Sequence, residues 1–337
     1  MPTSQSKKLC WGILGTARIN EKILPHLIAS RRSEVGALGS RSLEKAKAMA
    51  DEWKVPNAYG SYEAVISDPN VDAIYISLPN HLHYSWAKAA LSAGKHVLVE
   101  KPLALRSGEA EELSALARDK GVHLSEGFMY RHHEQSITLL ELIHRGELGA
   151  IRRIQGSFHI TLPEGPNIRT NTHTGGGAAW DVGCYLVNFA NALMGRPPTS
   201  VYGVGLFENS YDDALSGILD YGNGVTALID FGFRGPRLDE MQIVCEKGWI
   251  EIPHPFKPST REGIRILRKA KKETPLLEEI HEIVDDHDAY HSEVMEFENA
   301  IFEKRTSRLA GWESAAGVRT LEALLESARS KHPVILA

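Results

Sequence analysis

The sequence predicts an α/β Rossmann domain followed by an α+β domain with an open, mainly antiparallel sheet. Three observations carry this expectation. Up to about residue 126, short apolar strands alternate with helical stretches, the pattern of βαβ units around a parallel sheet covered on both faces. Beyond that point, strands are joined by short glycine-containing turns, which argue antiparallel hairpins. The chain has 337 residues, too many for one ordinary core and suited to two domains. We place these domains at 1–126 and 127–337.

In the first domain LCWGIL (9–14) reads as a strand and 18–30 as a helix. EVGALGS (34–40) is a strand, followed by a charged amphipathic helix over 42–54. DAIYISL (72–78) and HVLVE (96–100) are strands, and the helices after them, 83–94 and 107–121, close at Gly94 and Gly121. VHLSEGF (122–128) is a further strand. In the second domain 136–149 is helical and IRRIQGSFHI (151–160) is a strand. A loop rich in Pro, Asn, Thr and Gly covers 163–178, before a helix within 180–194. SVYGVGLF, ALSGILDY, VTALIDFGF, MQIVCE and WIEIP follow as strands, with tight joints at Gly222-Asn223-Gly224 and Lys247-Gly248. Two helices, roughly 286–304 and 312–330, close the chain. No internal repeat or low-complexity segment interrupts this order.

Hydrophobic residues make up 42% and charged residues 24%, which excludes a disordered chain. The net charge is −5, and no basic tract stands out, so no nucleic-acid partner is expected. Lys7 and Lys8 precede an apolar run too short for a signal segment, with Arg18 and Glu21 close behind. No stretch approaches the ~18 apolar residues of a membrane span. Cys10, Cys184 and Cys245 lie far apart without a C-x-x-C, so neither a disulfide framework nor a structural zinc site is expected. These features together lead us to expect a soluble, cytoplasmic protein.

The first strand runs into Gly15-Thr16-Ala17-Arg18-Ile19-Asn20. Only the first glycine of a G-x-G-x-x-G dinucleotide fingerprint stands, with Ala17 and Asn20 in the other places. The strand–turn–helix context still suits a pyrophosphate at a helix N-terminus. A second strand serving NAD should end in a carboxylate for the ribose 2′-OH. Here it ends Gly39-Ser40-Arg41-Ser42, with hydroxyls and a guanidinium suited to a 2′-phosphate. NADP is therefore expected over NAD. The alternative is that Ser42 only caps the next helix, beside a solvated Arg41. After the third strand Leu78, Pro79 and Asn80 leave the sheet, where a helix begins over the cofactor. His81 and His83 have no further ligand to complete a metal set, and His287 and His291 read as a solvated helix face, so no metal is expected.

Two places resist a purely structural reading. Glu100 and Lys101 stand at the tip of an apolar strand, before Pro102. In open parallel sheets ligands bind outside the strands' carboxyl ends, so Lys101 points to that crevice. The alternative is an ion pair of Lys101 with Glu100. Gly175-Gly176-Gly177 then lead into a helix on which Asp181 and Tyr185, four apart, share a face. These glycines suit either close approach to something bulky or a loop with unusual backbone angles.

E-K-P (100–102), L-P-N-x-x-H (78–83) and G-G-G-x-x-x-D-x-G-x-Y (175–185) together resemble the glucose–fructose oxidoreductase and myo-inositol dehydrogenase family, Gfo/Idh/MocA. The resemblance runs from about residue 9 to at least 200. E-G-F-M-Y-R (126–131), N-I-R (167–169) and W-D-V-G-C-Y (180–185) look like its branch of NADP-dependent D-xylose 1-dehydrogenases, close to dimeric dihydrodiol dehydrogenases and nucleotide-sugar ketoreductases. Many members carry a histidine where this chain has Tyr185. Asn20 departs from the small apolar residue more usual there.

The resemblance implies that Lys101 and Tyr185 are the catalytic pair, with Asp181 orienting the site. It implies a cofactor side of Gly15, Thr16, Ala17, Arg18, Ile19, Ser40, Arg41, Leu78, Pro79, Asn80, His83, Glu100, Lys101 and Arg169. On the substrate side it implies Lys101, Tyr130, Asn167, Arg169, Asp181 and Tyr185. The expected function is NADP-dependent hydride transfer between the C1 hydroxyl of a pyranose-like aldose or related polyol and nicotinamide. A keto-sugar reductase, a trans-dihydrodiol dehydrogenase and a non-catalytic dinucleotide-dependent sugar sensor are the alternatives. Sensors of this family tend to lose the lysine or the Tyr/His, and this chain keeps both. The open sheet must bury its second face, so a homodimer or homotetramer is expected.

Overall fold

The computed structural model describes residues 8–269, 276–309 and 311–336. Lys7, which belongs to the N-terminal segment read above, lies outside them. The chain forms two compact units. One runs to Ala104 and takes in Gly108–Gly127 and Tyr290–Gly311; the other holds Leu105–Ser107, Phe128–Ala289 and the chain from Trp312.

The first unit is built on β1 (Leu9–Leu14), β2 (Ser33–Gly39), β3 (Asn57–Tyr59), β4 (Ala73–Ile76), β5 (His96–Glu100) and β6 (Leu124–Gly127). Their order across the sheet is β3-β2-β1-β4-β5-β6, and every pairing is parallel. Helices α1 (Asn20–Ala29), α2 (Leu43–Trp53), α3 (Tyr62–Ser67), α4 (His83–Ser92) and α5 (Ser107–Lys120) alternate with the strands. Both β1 and β4 are buried along their whole length, which is why they read as unbroken apolar runs. Strand order reverses between β1 and β4, the place where such sheets open a crevice for a ligand. β3 and α3 were not expected. β3 is three residues long, too short to show a period, and α3 is declared only by its Ser61 cap on the Ala64 N–H.

In the second unit α6 (Glu134–His144) and α7 (Cys184–Met194) accompany a wide sheet. Its strands are β7 (Ile151–Thr161), β8 (Ser200–Glu208), β9 (Tyr211–Asp220), β10 (Thr226–Gly232), β11 (Arg234–Cys245), β12 (Gly248–Pro253), β13 (Arg261–Lys269), β14 (Leu276–Val284) and β15 (Val334–Ile335). Among the described residues they lie in the order β14-β13-β12-β11-β7-β10-β9-β8-β15. β7 and β10 pair parallel; the other pairs are antiparallel. β13 and β14 were not expected either: charged residues and adjacent apolar pairs interrupt their alternation.

One face of this sheet is packed so closely that some positions exclude a side chain. A Cβ on Gly156 would lie 2.7 Å from Leu186 of α7. One on Gly217 would lie 2.8 Å from Leu324, on the closing helix Gly311–Ser330. On the opposite face Tyr202, Val204, Leu206 and Ile218 are exposed, alternating with buried Val201, Leu215 and Leu219. No helix among the described residues is long and apolar enough to cross a membrane.

Helix α8 (Ala289–Phe302) places Val294 and Phe297 in the core of the first unit, the Phe297 ring 4.9 Å from that of Trp11. The last helix is then α9 (Gly311–Ser330). Beside Val294 stands Glu293, 2% exposed, its two carboxyl oxygens without a hydrogen-bond partner among the described residues. Burial, and after it the neighbouring Glu100, hold this carboxyl well above the ordinary 4.5. The folded chain therefore keeps a proton that the unfolded chain gives up. Stability from this group is complete below the unfolded value and is lost as pH rises through the folded one. Glu293→Gln should match the wild type in thermal melts at pH 4 and exceed it at pH 9 by at least about 2 °C, near 1 kcal/mol for a large chain. Equal melting temperatures at both pH values would show that Glu293 titrates as an ordinary carboxylate.

Candidate active site

At the crevice of the first unit, β1 ends at Leu14 and Gly15 turns the chain with φ +108°, a conformation that favours glycine. A Cβ there would meet Leu78 at 2.9 Å and the Ser77 carbonyl oxygen at 3.1 Å. Thr16, Ala17, Arg18 and Ile19 complete the turn into α1. Asn20, the departure noted above, is fully buried, and its Nδ2 donates to the Gly15 carbonyl at 2.9 Å. It ties the start of the helix to the start of the turn, work that an apolar residue cannot do. The cradle opens on Gly15, has the small Ala17 within it, and is followed by a helix N-terminus, so it fits a dinucleotide pyrophosphate.

At the tip of β2, Ser40 is 7% exposed and its N–H donates to the Tyr59 carbonyl. Ser42 caps α2, its hydroxyl accepting from the Lys45 N–H. The capping alternative, Ser42 as cap beside a solvated Arg41, fits what is seen here, and an exposed Arg41 is equally open to a phosphate. Arg41 is exposed and has no ion pair among the described residues. No carboxylate stands at this tip.

Beyond β4, Leu78 and Pro79 lead into a short 3-10 turn, Asn80–Leu82, before His83 opens α4. His83 was expected against the cofactor. It is instead 1% exposed, with Nδ1 and Nε2 each 2.7 Å from a carbonyl oxygen, of Pro102 and Leu78 respectively. Burial pulls its pKa below the ordinary 6.5. Its ring lies inside the protein between the loops after β4 and β5 and, when neutral, donates its single N–H to one of these two carbonyls.

The β5 tip is held at three points. Tyr75, fully buried on β4, donates its hydroxyl to Glu100 Oε1 at 2.6 Å. The Pro102 carbonyl faces His83, and the Leu103 N–H donates to Oε1 of buried Glu126 at 2.8 Å. Lys101 is half-buried between these anchored neighbours, and its peptide bond to Pro102 is cis. Burial raises the Glu100 carboxyl, while the Tyr75 hydroxyl and the Lys101 ammonium act the other way.

In the second unit the glycine run serves its own loop. A Cβ on Gly176 would lie 2.6 Å from the Arg169 carbonyl oxygen, and one on Gly177 2.1 Å from Asp212 Oδ1. The Gly177 N–H donates to the Arg169 carbonyl at 2.8 Å. Of the two readings of these glycines, loop geometry is sufficient. Asn167 Oδ1 accepts from the Arg169 N–H at 3.1 Å and starts the turn. Arg169 in turn reaches Asp181, Nε to Oδ2 at 2.7 Å. Asp181 sits in a π-helical turn, Ala179–Gly183, and Tyr185 in the first turn of α7. Asp212, absent from the sequence-based candidates, accepts the Ala179 N–H at the start of this turn, and burial pushes its carboxyl up to about 6.

Tyr185 is 6% exposed and enclosed by Phe128, Tyr130, Phe158 and Phe256, with ring centroids 5.4 to 5.7 Å away. Its hydroxyl points toward Met129 Sδ at 3.9 Å. Tyr130 was expected to meet substrate, but it is fully buried and donates to Asn188 Oδ1 at 2.6 Å. Arg131 donates to the same oxygen and pairs with Glu313. Among the described residues no group of three or more His, Cys, Asp or Glu is placed to hold a metal ion.

Comparison with known proteins agrees with this geometry. Residues 9–128 match the model of an oxidoreductase family with an NAD-binding Rossmann fold, and 137–251 match the GFO/IDH/MocA C-terminal domain. The chain is 35% identical to D-xylose 1-dehydrogenase (NADP(+)) 2 of Haloferax volcanii, covering 96% of this chain and 98% of that one. It is 36% identical to trans-1,2-dihydrobenzene-1,2-diol dehydrogenase of Xenopus laevis, over 72% and 74% of the two chains. Among solved structures, a 3-ketoreductase from Actinomadura kijaniata in complex with NADP and TDP-benzene superimposes with a TM-score of 0.86 at 29% identity, over 95% and 98% of the chains. A parallel sheet ordered 3-2-1-4-5-6, a wide mainly antiparallel sheet and full-length similarity to named dehydrogenases and reductases lead to one conclusion: the chain belongs to the Gfo/Idh/MocA oxidoreductase family.

Proposed function

We propose that this protein is an NADP-dependent oxidoreductase that oxidises a pyranose-like aldose at C1. The observation that carries the reading is the β5 tip, where an amine stands at the carboxyl end of a parallel sheet between anchored neighbours. The β2 tip supports NADP, with Ser40 and exposed Arg41 in place of a carboxylate, and so does the likeness to an NADP-dependent relative. When bound, the nicotinamide ring supplies the hydride acceptor. Tyr185 accepts the proton of the sugar hydroxyl as hydride leaves C1. A free phenol is ionised at pH 7 in only about one molecule in a thousand, so it needs a neighbouring cation to favour the phenolate. We assign that part to Lys101. Asp181 and Arg169 orient the sugar side, with Asn167 setting the turn that carries Arg169.

A second reading, reduction of a keto-sugar by the same residues in reverse, is favoured by the likeness to the 3-ketoreductase. A panel of aldoses with NADP⁺, followed by NADPH absorbance, separates the two directions and both of them from a non-catalytic sensor. Lys101→Met and Tyr185→Phe should each lower kcat by at least about 10²-fold while NADPH still binds. The double variant should cost far less than the product of the two. Near-wild-type turnover in either single variant would refute the pair.

Arg41→Ala should weaken NADP binding about 10- to 100-fold, as for a lost hydrogen bond to a charged group, and leave NAD binding nearly unchanged. Equal use of NAD and NADP by the wild type would remove Arg41 from this role.

We also propose that the exposed sheet face carrying Tyr202, Val204, Leu206 and Ile218 is covered by a second copy of the chain. Light scattering behind size exclusion should give a dimer or tetramer, and a strict monomer would overturn this.

A further inference from the structure

We propose that Tyr75, His83 and Glu126 are positioning residues that set the direction of Lys101 by holding the residues on either side of it. The inference deepens the reading of Lys101 given above and rests on it. The three groups come from different elements: Tyr75 from β4, His83 from α4 and Glu126 from β6. All three are at most 3% exposed, so they touch neither solvent nor, by that measure, a ligand in the crevice. Each takes a different handle. Tyr75 takes the Glu100 carboxylate at 2.6 Å, His83 in its Nδ1–H tautomer the Pro102 carbonyl at 2.7 Å, and Glu126 the Leu103 N–H at 2.8 Å.

Residues 100, 102 and 103 are thereby fixed, and the main chain carrying Lys101 has little freedom left. Such anchoring suits a side chain that must be aimed, because a flexible four-carbon stem otherwise spreads its charge over many positions. A misplacement on the order of 1 Å is enough to cost a large part of a rate.

The charged and titratable groups facing Glu100 are Tyr75 from β4, Lys101 beside it and Glu293 from α8; Tyr290 faces Tyr75 from the same helix. Glu293 is a second carboxyl buried close to the first. Two acids in one buried place repel if both ionise, so Glu100 needs a donor to stay in register with its tip. The Tyr75 hydroxyl is that donor. A phenylalanine at 75 would fill the core equally well and leave Glu100 without this partner.

The test uses full-length protein saturated with NADPH, its lysines reductively ¹³C-methylated, with the Lys101 resonance assigned by its loss in Lys101→Met. Wild type should show a resolved Lys101 resonance, displaced from those of solvated lysines. Tyr75→Phe and Glu126→Leu should move it toward the solvated position and lower kcat about tenfold, with KM for the sugar and the Kd for NADPH within about twofold of wild type. Glu126→Gln keeps an acceptor for the Leu103 N–H and should restore both readouts. Should Glu126→Leu fail to fold, Tyr75→Phe decides alone. A lowered melting temperature with the Lys101 resonance and kcat unchanged in Tyr75→Phe would overturn the proposal, since it would make the contact structural only. Failure of the wild type to turn over any sugar would count against the proposed function, while the resonance would still decide whether these residues position the lysine.

Discussion

No side chain fits at residue 15. Leu78 and the Ser77 carbonyl lie within about 3 Å of where its Cβ would be, and the backbone there has φ +108°. This closeness follows from the sheet. β1 and β4 are neighbours, and connections leave them in opposite directions, so the segments after both strands meet at one place. Everything on the dinucleotide side of the molecule is arranged around that meeting. Asn20 ties the turn to its helix, and the chain after Leu78 passes into a short turn whose end, His83, reaches across to the next tip. A larger residue at 15 would push these tips apart and disturb all of them together.

The same region gathers an unusual amount of buried polar chemistry. Glu100, Tyr75 and Glu293 bring two carboxyls and a phenol into the apolar interior of the first unit, beside an amine. Burial opposes ionisation of each acid, and the amine and the phenolic donor favour it for Glu100 alone. The outcome is a difference of degree: burial raises both carboxyls, and raises Glu293, which lacks the phenol and the amine, well above its ordinary value. The second unit repeats the device on a smaller scale. There Asp181 is paired with Arg169 and half-sheltered, while Asp212 is buried with its carboxyl raised and holds the start of the same helix.

The strands whose tips form the proposed site were legible in the sequence because each ends in an abrupt change of chemistry: Gly15, Ser40 and Arg41, Pro79, and Glu100 with Lys101. What was not legible depends on contacts distant along the chain. Tyr75 looks like any residue of an unbroken apolar strand until Glu100 is placed next to it. Glu126 lies in a recognisable stretch, but its partner, the Leu103 N–H, leaves no trace in the residue types. Tyr130, named with the substrate side, is fully buried and bonded to Asn188, a placement that its residue type and neighbours did not announce. The return of α8 to the first core, after the chain has built a whole second unit, has no local signal in Ala289–Phe302, whose apolar positions would suit either unit. β13 and β14 mix buried Ile264, Ile266 and Ile283 with many charged residues, and adjacent pairs such as Ile266-Leu267, Leu276-Leu277 and Ile283-Val284 break their period-two pattern.

The account turns on direct hydride transfer between sugar C1 and the cofactor. The measurement that meets this most directly is oxidation, with NADP⁺, of the best aldose deuterated at C1, followed by mass spectrometry of the reduced nicotinamide. The account predicts one deuterium in the NADPH, delivered from C1. Reduced cofactor without deuterium, or no reduction with any aldose, would contradict it.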